Sequence, residues 1–364
     1  MAQPAPRAPA QRRQVVMIGP SPDARGGMAS VIKTCLEHGY EADGRCRFIA
    51  THVDGKAWRK AARALAALSL FCSLLARRRV ALLHVHVASG VSFWRKAPFI
   101  GAARLAGCPV LLHLHGGQFQ QFIEQRLAGR RRRLALWLLS GSAAAFALTE
   151  DAADWLRRRA RIAAVDLFPN PVGGPAPLVR QPGRDILFLG RLQESKGVFD
   201  LVRAFAMVRA RAPGSRLVLA GEGGAAAVHG IMALAASLGV DQHLLLPGWV
   251  DGPERARLLS TAAVFALPSH HEQMPMSLLE AMLARVPAVA SNVGCISHIL
   301  NKGNCGFLVE PGEIHALAAS ILCILDDNIS AEMTSERAWQ RVRSEYLVEP
   351  VMQRLRRRYE ELAA

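Results

Sequence analysis

Tyrosine is scarce in this chain, with three in 364 residues, and cysteine is sparse and unpatterned. The seven cysteines, at 35, 46, 72, 108, 295, 305 and 323, are odd in number and form no Cys-x-x-Cys pair. That argues against a disulfide framework or a thiolate zinc site and fits the reduced thiols of a cytosolic protein. No window of about 18 apolar residues is free of charge, so no membrane-spanning helix is expected. The nearest approach, Ala64 to Ala76, is too short and runs into Arg77, Arg78 and Arg79. The first residues lack the apolar central run of a signal peptide. The GxxxxGK[ST] and GxGxxG spacings are missing, which removes the Walker and dinucleotide fingerprints. Few tyrosines, and no helix-turn-helix, zinc-finger or RNP-type signature, argue against nucleic acid as a partner.

What is present is a large apolar fraction, 51%, in a chain long enough for about two domains. Charge is unevenly spread. Residues 1–172 carry 26 Lys and Arg against 10 Asp and Glu, whereas residues 173–346 carry 15 against 16. The whole net charge of +16 therefore belongs to the first half. Such a field attracts polyanions, including the anionic inner face of a membrane. Two basic segments adjoin apolar ones: Lys56, Arg59, Lys60 and Arg63 ahead of a stretch through Leu75, and Arg130 to Arg133 ahead of a run containing Trp137. Arginine beside Trp and Leu is interfacial chemistry; a buried helix with solvated ends is the alternative.

Short apolar runs at 14–18, 82–87, 110–115 and 144–149 alternate with helical patterns, as expected of a mostly parallel sheet covered on both faces. The alternation stops at a Pro/Gly cluster, residues 168–177, and restarts at 185–189. The expected organisation is a loose tail over 1–13, a Rossmann-like domain over 14–170, a second over 171–346 and a C-terminal helix over 347–364. Two doubly wound α/β domains would aim their strand ends at one cleft, where ligands of open parallel sheets bind.

Four constellations carry chemistry. GRLQESKG (190–197) sets Arg191 and Lys196 around a turn just before a helix. Two cations beside a helix N-terminus make an anion site suited to a diphosphate, although a plain surface loop has the same look. Glu272 and Glu280 flank a helix start, and a carboxylate suits vicinal sugar hydroxyls; glutamates eight apart are common in themselves. Gly26 and Gly27 precede a helix and let a ligand approach the backbone. His84 with His86, and His113 with His115, each share a strand face, as chelators or, more simply, as packed side chains. His115 differs in preceding Gly116 and Gly117 at a strand end.

In order along the chain, GRLQESKG (190–197), GEGG (221–224), PGWVD (247–251), ALPSHHEQMPMSLLEAMLARVPAVAS (266–291) and GFLVEPGE (306–313) resemble the retaining glycosyltransferases of the GT-B fold, family 4. GPSPDARGGM (19–28), HLHGG (113–117) and FPNPV (168–172) match more loosely. HVHVASGVSFWRKA (84–97) looks like members that act on polyprenyl-linked intermediates of exopolysaccharide synthesis. The resemblance implies that Arg191 and Lys196 grip the donor diphosphate, that Glu272 holds donor-sugar hydroxyls and that Glu280 holds the ribose. It places backbone at Met274, Pro275, Met276, Ser277 and Leu278 along the sugar and phosphate, Trp249 and Val250 beside the base, Gly26 and Gly27 at the diphosphate, and His115 near the reacting sugar, and it implies that the helix over 347–364 returns to pack on the first domain. Gln273 and Pro275 stand where the family often has glycine, and Pro275 removes one N–H donor.

The implied function is transfer of a hexose, mannose from GDP-mannose being the leading expectation, to a polyprenyl-linked or oligosaccharide acceptor. No cofactor or metal is implied beyond the nucleotide-sugar co-substrate, and no Asp-x-Asp metal handle occurs. The location implied is the inner face of the cell membrane, with the basic first domain on anionic lipid. A nucleotide-sugar epimerase on the same fold, or a non-catalytic membrane-binding protein, are the alternatives.

Overall fold

The structure, a computed structural model, describes residues 13–24, 26–53, 57–116, 119–173 and 180–363. Residues 1–12 of the tail, Arg25, Lys56, Gly117 and residues 174–177 of the Pro/Gly cluster lie outside them. The chain divides into two compact units, residues 1–171 with 351–364, and residues 172–350.

The N-terminal unit is built on one parallel sheet. Its strands are β1 (Gln14–Pro20), β2 (Cys46–His52), β3 (Val80–Val87), β4 (Val110–Leu114), β5 (Ala144–Ala147) and β6 (Val165–Leu167), in the order β2-β1-β3-β4-β5-β6. Its helices are α1 (Gly27–Glu37), α2 (Ala57–Ala76), α3 (Val91–Leu105), α4 (Phe119–Gln121), α5 (Gly129–Ser140) and α6 (Glu150–Arg158). The central strands are mainly apolar because both sheet faces are covered; β3 and β4 bury almost every residue, three histidines included. The outermost strands, β2 and β6, escaped the sequence reading. An edge strand keeps one flank near water, so β2 carries Arg47 and His52 among its apolar residues, and β6 is three residues long. Local chemistry sets α6: Thr149 caps it by accepting from Ala152 N–H, acids fill its first turn and arginines its last.

The C-terminal unit repeats the plan with β7 (Asp185–Leu189), β8 (Arg216–Ala220), β9 (Leu244–Gly248), β10 (Ala262–Leu267), β11 (Ala288–Ser291) and β12 (Phe307–Val309), in the order β12-β11-β10-β7-β8-β9. Its helices are α7 (Val198–Arg211), α8 (Ala225–Ser237), α9 (Gly252–Thr261), α10 (Met276–Leu283), α11 (Ile296–Ile299), α12 (Ile314–Asp326) and α13 (Asn328–Glu345). Helix α13 was not expected from the sequence. Its buried stripe is mostly small, Ala331, Ala338 and Val342, so the apolar period is faint. An Asp327 cap on Ser330 N–H starts it.

The last helix, α14 (Val348–Ala363), belongs to the N-terminal unit from Val351 onward. Tyr359 is buried there, its hydroxyl 2.6 Å from His84 Nδ1 and 3.3 Å from the Tyr40 hydroxyl. Arg358 pairs with Asp166 at 3.0 Å. Among the described residues no single helix is long and apolar enough to cross a membrane, and all seven cysteines are free thiols.

Candidate active site

In the C-terminal unit, β7 and β10 are parallel neighbours, Phe265 lying beside Leu187, so the loops that follow them emerge side by side. That register brings together residues 76 positions apart in sequence: Lys196 Nζ lies 2.5 Å from Glu272 Oε1. Lys196 ends a single 3-10 turn (Glu194–Lys196), and Gly197 at φ 67° turns the chain into α7. A side chain at Gly197 would strike the Pro268 carbonyl, so glycine there permits the two loops to touch. His270 N–H donates to Ser195 O at 3.0 Å, and His270 Nε2 lies 2.8 Å from Asp200 Oδ2 on α7.

Ser269 Oγ–H also donates to Glu272 Oε1, at 3.2 Å. Among the described residues both of these bonds fall on Oε1, which leaves Oε2 to accept from a hydroxyl. The loop that carries Glu272 is braced from behind. Cys295 N–H donates to Gln273 O at 3.0 Å and its thiol points at the same oxygen. Gly294, at φ 58°, lies where any Cβ would meet the Glu272 carbonyl. Burial pushes the Cys295 thiol up to about 12, so it is a packed thiol rather than a nucleophile.

Pro275 is the N-cap of α10 and its carbonyl accepts from Leu278 N–H. Helix α10 therefore starts with no side-chain cap, and Met276 and Ser277 supply its first main-chain N–H groups. Arg191 is exposed and has no acidic partner among the described residues. Glu280, inside α10, receives Arg255 Nη1 at 3.0 and 3.3 Å on its two oxygens. Trp249 is half exposed and Val250 buried just past β9.

In the N-terminal unit, Gly26 is the N-cap of α1 at φ 135° and Gly27 its exposed first residue, with open space where a Cβ would stand. His115 follows β4 and is buried, its Nε2 2.8 Å from His86 Nδ1. It is one of four buried histidines on neighbouring strands, since His86 and His113 are register partners. His84 Nε2 lies 3.2 Å from His113 Nδ1, which extends the chain of contacts to Tyr359 and Tyr40. Burial lowers all four imidazoles, His84 and His115 to about 3, so they are packed as neutral rings. His84, His86 and His113 offer nitrogens within 4.8 Å of one another, a spacing compatible with an ion. Their rings stack, however, at 10° for His84 with His113 and 30° for His86 with His113. Stacked rings direct their in-plane lone pairs side by side rather than onto one point, and His84 Nδ1 is engaged by the Tyr359 hydroxyl.

Two family models divide the chain between them: "Glycosyl transferase 4-like domain" over residues 5–173 and "Glycosyl transferases group 1" over residues 176–341. The chain belongs to the group 1 glycosyltransferases. Its two-unit α/β architecture matches GT-B structures. Sucrose-phosphate synthase from Thermosynechococcus elongatus superposes with a TM-score of 0.77 at 19% identity over 96% of this chain and 99% of that one. The Anabaena protein HepE, solved in complex with UDP, superposes at 0.75 and 16% identity, over 96% of this chain and all of that one. Among curated sequences, glycogen synthase of Mycobacterium tuberculosis is 32% identical over 177 residues, 49% of this chain and 40% of that enzyme. The chain thus spans about two-fifths of that relative's length.

For this glycosyltransferase, structure adds residues that the motifs did not single out. Ser269 sat inside a quoted motif without a role, and Gly294 and Cys295 lay just past one. Arg255 lay outside every motif. Their only sequence signal was position, immediately beside a strand end or one turn into a helix.

Proposed function

We propose that this glycosyltransferase moves a hexose, with retention of configuration, from a nucleoside diphosphate to a lipid-linked or saccharide acceptor in surface-glycan synthesis. The observation that carries the reading is the Lys196–Glu272 contact at the start of α7, with Arg191 exposed earlier in the same loop. An ammonium has three N–H donors. Glu272 takes one, and two remain for phosphate oxygens. Oε2 of Glu272 is left for sugar hydroxyls. As the bond between C1 and the diphosphate oxygen breaks, Arg191 and Lys196 meet the charge that grows on the leaving group. The acceptor oxygen bonds to C1, and its proton passes to the departing phosphate.

GDP-mannose is the donor we expect. A UDP-hexose is the second reading, favoured by the UDP bound in HepE. Thermal unfolding with GDP against UDP separates them, because a ligand of the folded state at a hundred times its Kd adds ~2.7 kcal/mol. The preferred nucleotide raises Tm, and its tritiated hexose then labels a membrane extract. The assay contains chelator, since two fixed cations supply the positive charge. Label transfer with neither donor, and no shift with either nucleotide, would overturn the reading.

We also propose that the N-terminal unit rests on an anionic membrane, where a polyprenyl-linked acceptor lies. Helix α3 packs between α2 and α5, and the three expose Trp58, Leu65, Leu105, Leu134 and Trp137. Arginines lie over both tryptophans, Arg59 at 5.4 Å and Arg104 at 4.0 Å. Arg132 is tied to Glu124, which leaves Arg130, Arg131 and Arg133 exposed for lipid. At ~1 kcal/mol per basic residue near such a surface, converting these three to Gln lowers affinity for phosphatidylserine vesicles ~100-fold. Flotation that is unchanged in the triple variant would remove the membrane assignment.

A further inference from the structure

Among the described residues, Arg255 is the charged side chain paired with Glu280. It stands on the first turn of α9, its own N–H bonded to Asp251 O at 2.8 Å. One guanidinium nitrogen, Nη1, reaches both Glu280 oxygens, and the other, Nη2, lies 3.5 Å from the Val250 carbonyl. The side chains are 30% and 18% exposed, so the pair is largely out of water. α10 is packed against β10, β11 and α13. The two strands carry no charged residue. On the α13 side, Arg285 pairs with Glu336 and Arg341 with Glu345, Arg337 bonds to Asn304 O, Arg343 stacks on Trp339, and Glu332 acts on Arg180. Those charges are committed elsewhere.

We infer that Arg255 is a positioning residue for the nucleoside half of the donor: it aims the Glu280 carboxylate and ties it to the main chain at Val250. The inference rests on the donor site proposed above, in which Glu280 receives the ribose and Val250 borders the base. A carboxylate accepts from both hydroxyls of a ribose only while it is ionised. Burial raises the Glu280 pKa and Arg255 opposes the rise. Removing the guanidinium therefore moves Glu280 towards the neutral form at higher pH, and the base wall loses its tether in the same step.

The test is calorimetric binding of GDP, UDP and their 2′-deoxy analogues at pH 8 and pH 6. The wild type should favour the ribonucleotide over its deoxy form at both values. Arg255→Met should bind about tenfold more weakly at pH 8, weaken further at pH 6, and cease to distinguish the deoxy form. Arg255→Lys keeps a cation without the fork, so it should restore the pH profile but not the full affinity. Glu280→Gln keeps the shape and should bind weakly with the same ribo-to-deoxy ratio at both pH values; it carries the test if Arg255→Met does not fold. A Met variant with wild-type affinity and profile overturns the inference while leaving the donor site standing. A wild type that binds neither nucleotide overturns the donor reading itself, and this inference with it.

Discussion

Acidification from pH 7 to about pH 5.5 unfolds the N-terminal unit while the C-terminal unit stays folded. Four imidazoles, His84, His86, His113 and His115, are buried as neutral rings, with folded pKa values driven down by burial. In the unfolded chain each titrates near 6.5. The unfolded state therefore binds more protons below that value, and stability falls as pH drops from about 6.5 towards 3. Above 6.5 both states are neutral and the effect vanishes. At pH 5.5 each ring costs ~1.4 kcal/mol, so the four together cost about 6 kcal/mol, comparable with the 5–15 kcal/mol that holds a domain together. The six histidines of the C-terminal unit are half-buried or exposed and have no such ladder. Hydrogen exchange read by mass spectrometry across the pH range separates the two units. Protection should be lost first over residues 14–171 and 351–363. Equal protection of both units down to pH 4.5 would show that the ladder does not carry this linkage.

Arg191→Ala with Lys196→Ala abolishes sugar transfer far beyond its effect on folding. Removing one preorganised donor to a developing negative charge typically costs 10²–10³ in kcat, about 3–4 kcal/mol. Both cations of this site are removed at once, so a fall of at least ~10³ is expected. Arg191 is exposed and has no acidic partner among the described residues, so its loss leaves the fold untouched. Loss of Lys196 leaves Glu272 without its ion pair, which costs some stability and disorders the carboxylate proposed to hold the sugar as well. Single-turnover rates with the labelled donor, set beside the Tm of each variant, separate the two effects. A double variant that transfers at the wild-type rate would remove both residues from the chemistry.

These two expectations draw on different kinds of information. The cations stood inside a contiguous motif, GRLQESKG, because a strand end, a turn and a helix start are local events written in glycine, charge and apolar spacing. The same local logic made the central strands legible, and with them the doubly wound class. It failed where the local signal is weak: at β2 and β6 on the sheet edge, and at α13 with its alanine stripe.

By itself, then, the sequence determined the class of fold, the division into a basic and a near-neutral half, and the loops to which we assign the donor chemistry. Only the tertiary structure decided which loops meet. Lys196 touches Glu272 because β10 is the neighbour of β7, and strand order is set by packing across the whole sheet. Arg255 finds Glu280 from another helix. The histidines found on two strands become one buried ladder, closed by a tyrosine 275 residues beyond His84, because β3 and β4 align in register and α14 lies over them. Periodicity reports which face of an element is apolar; it carries no record of the partner that face will find.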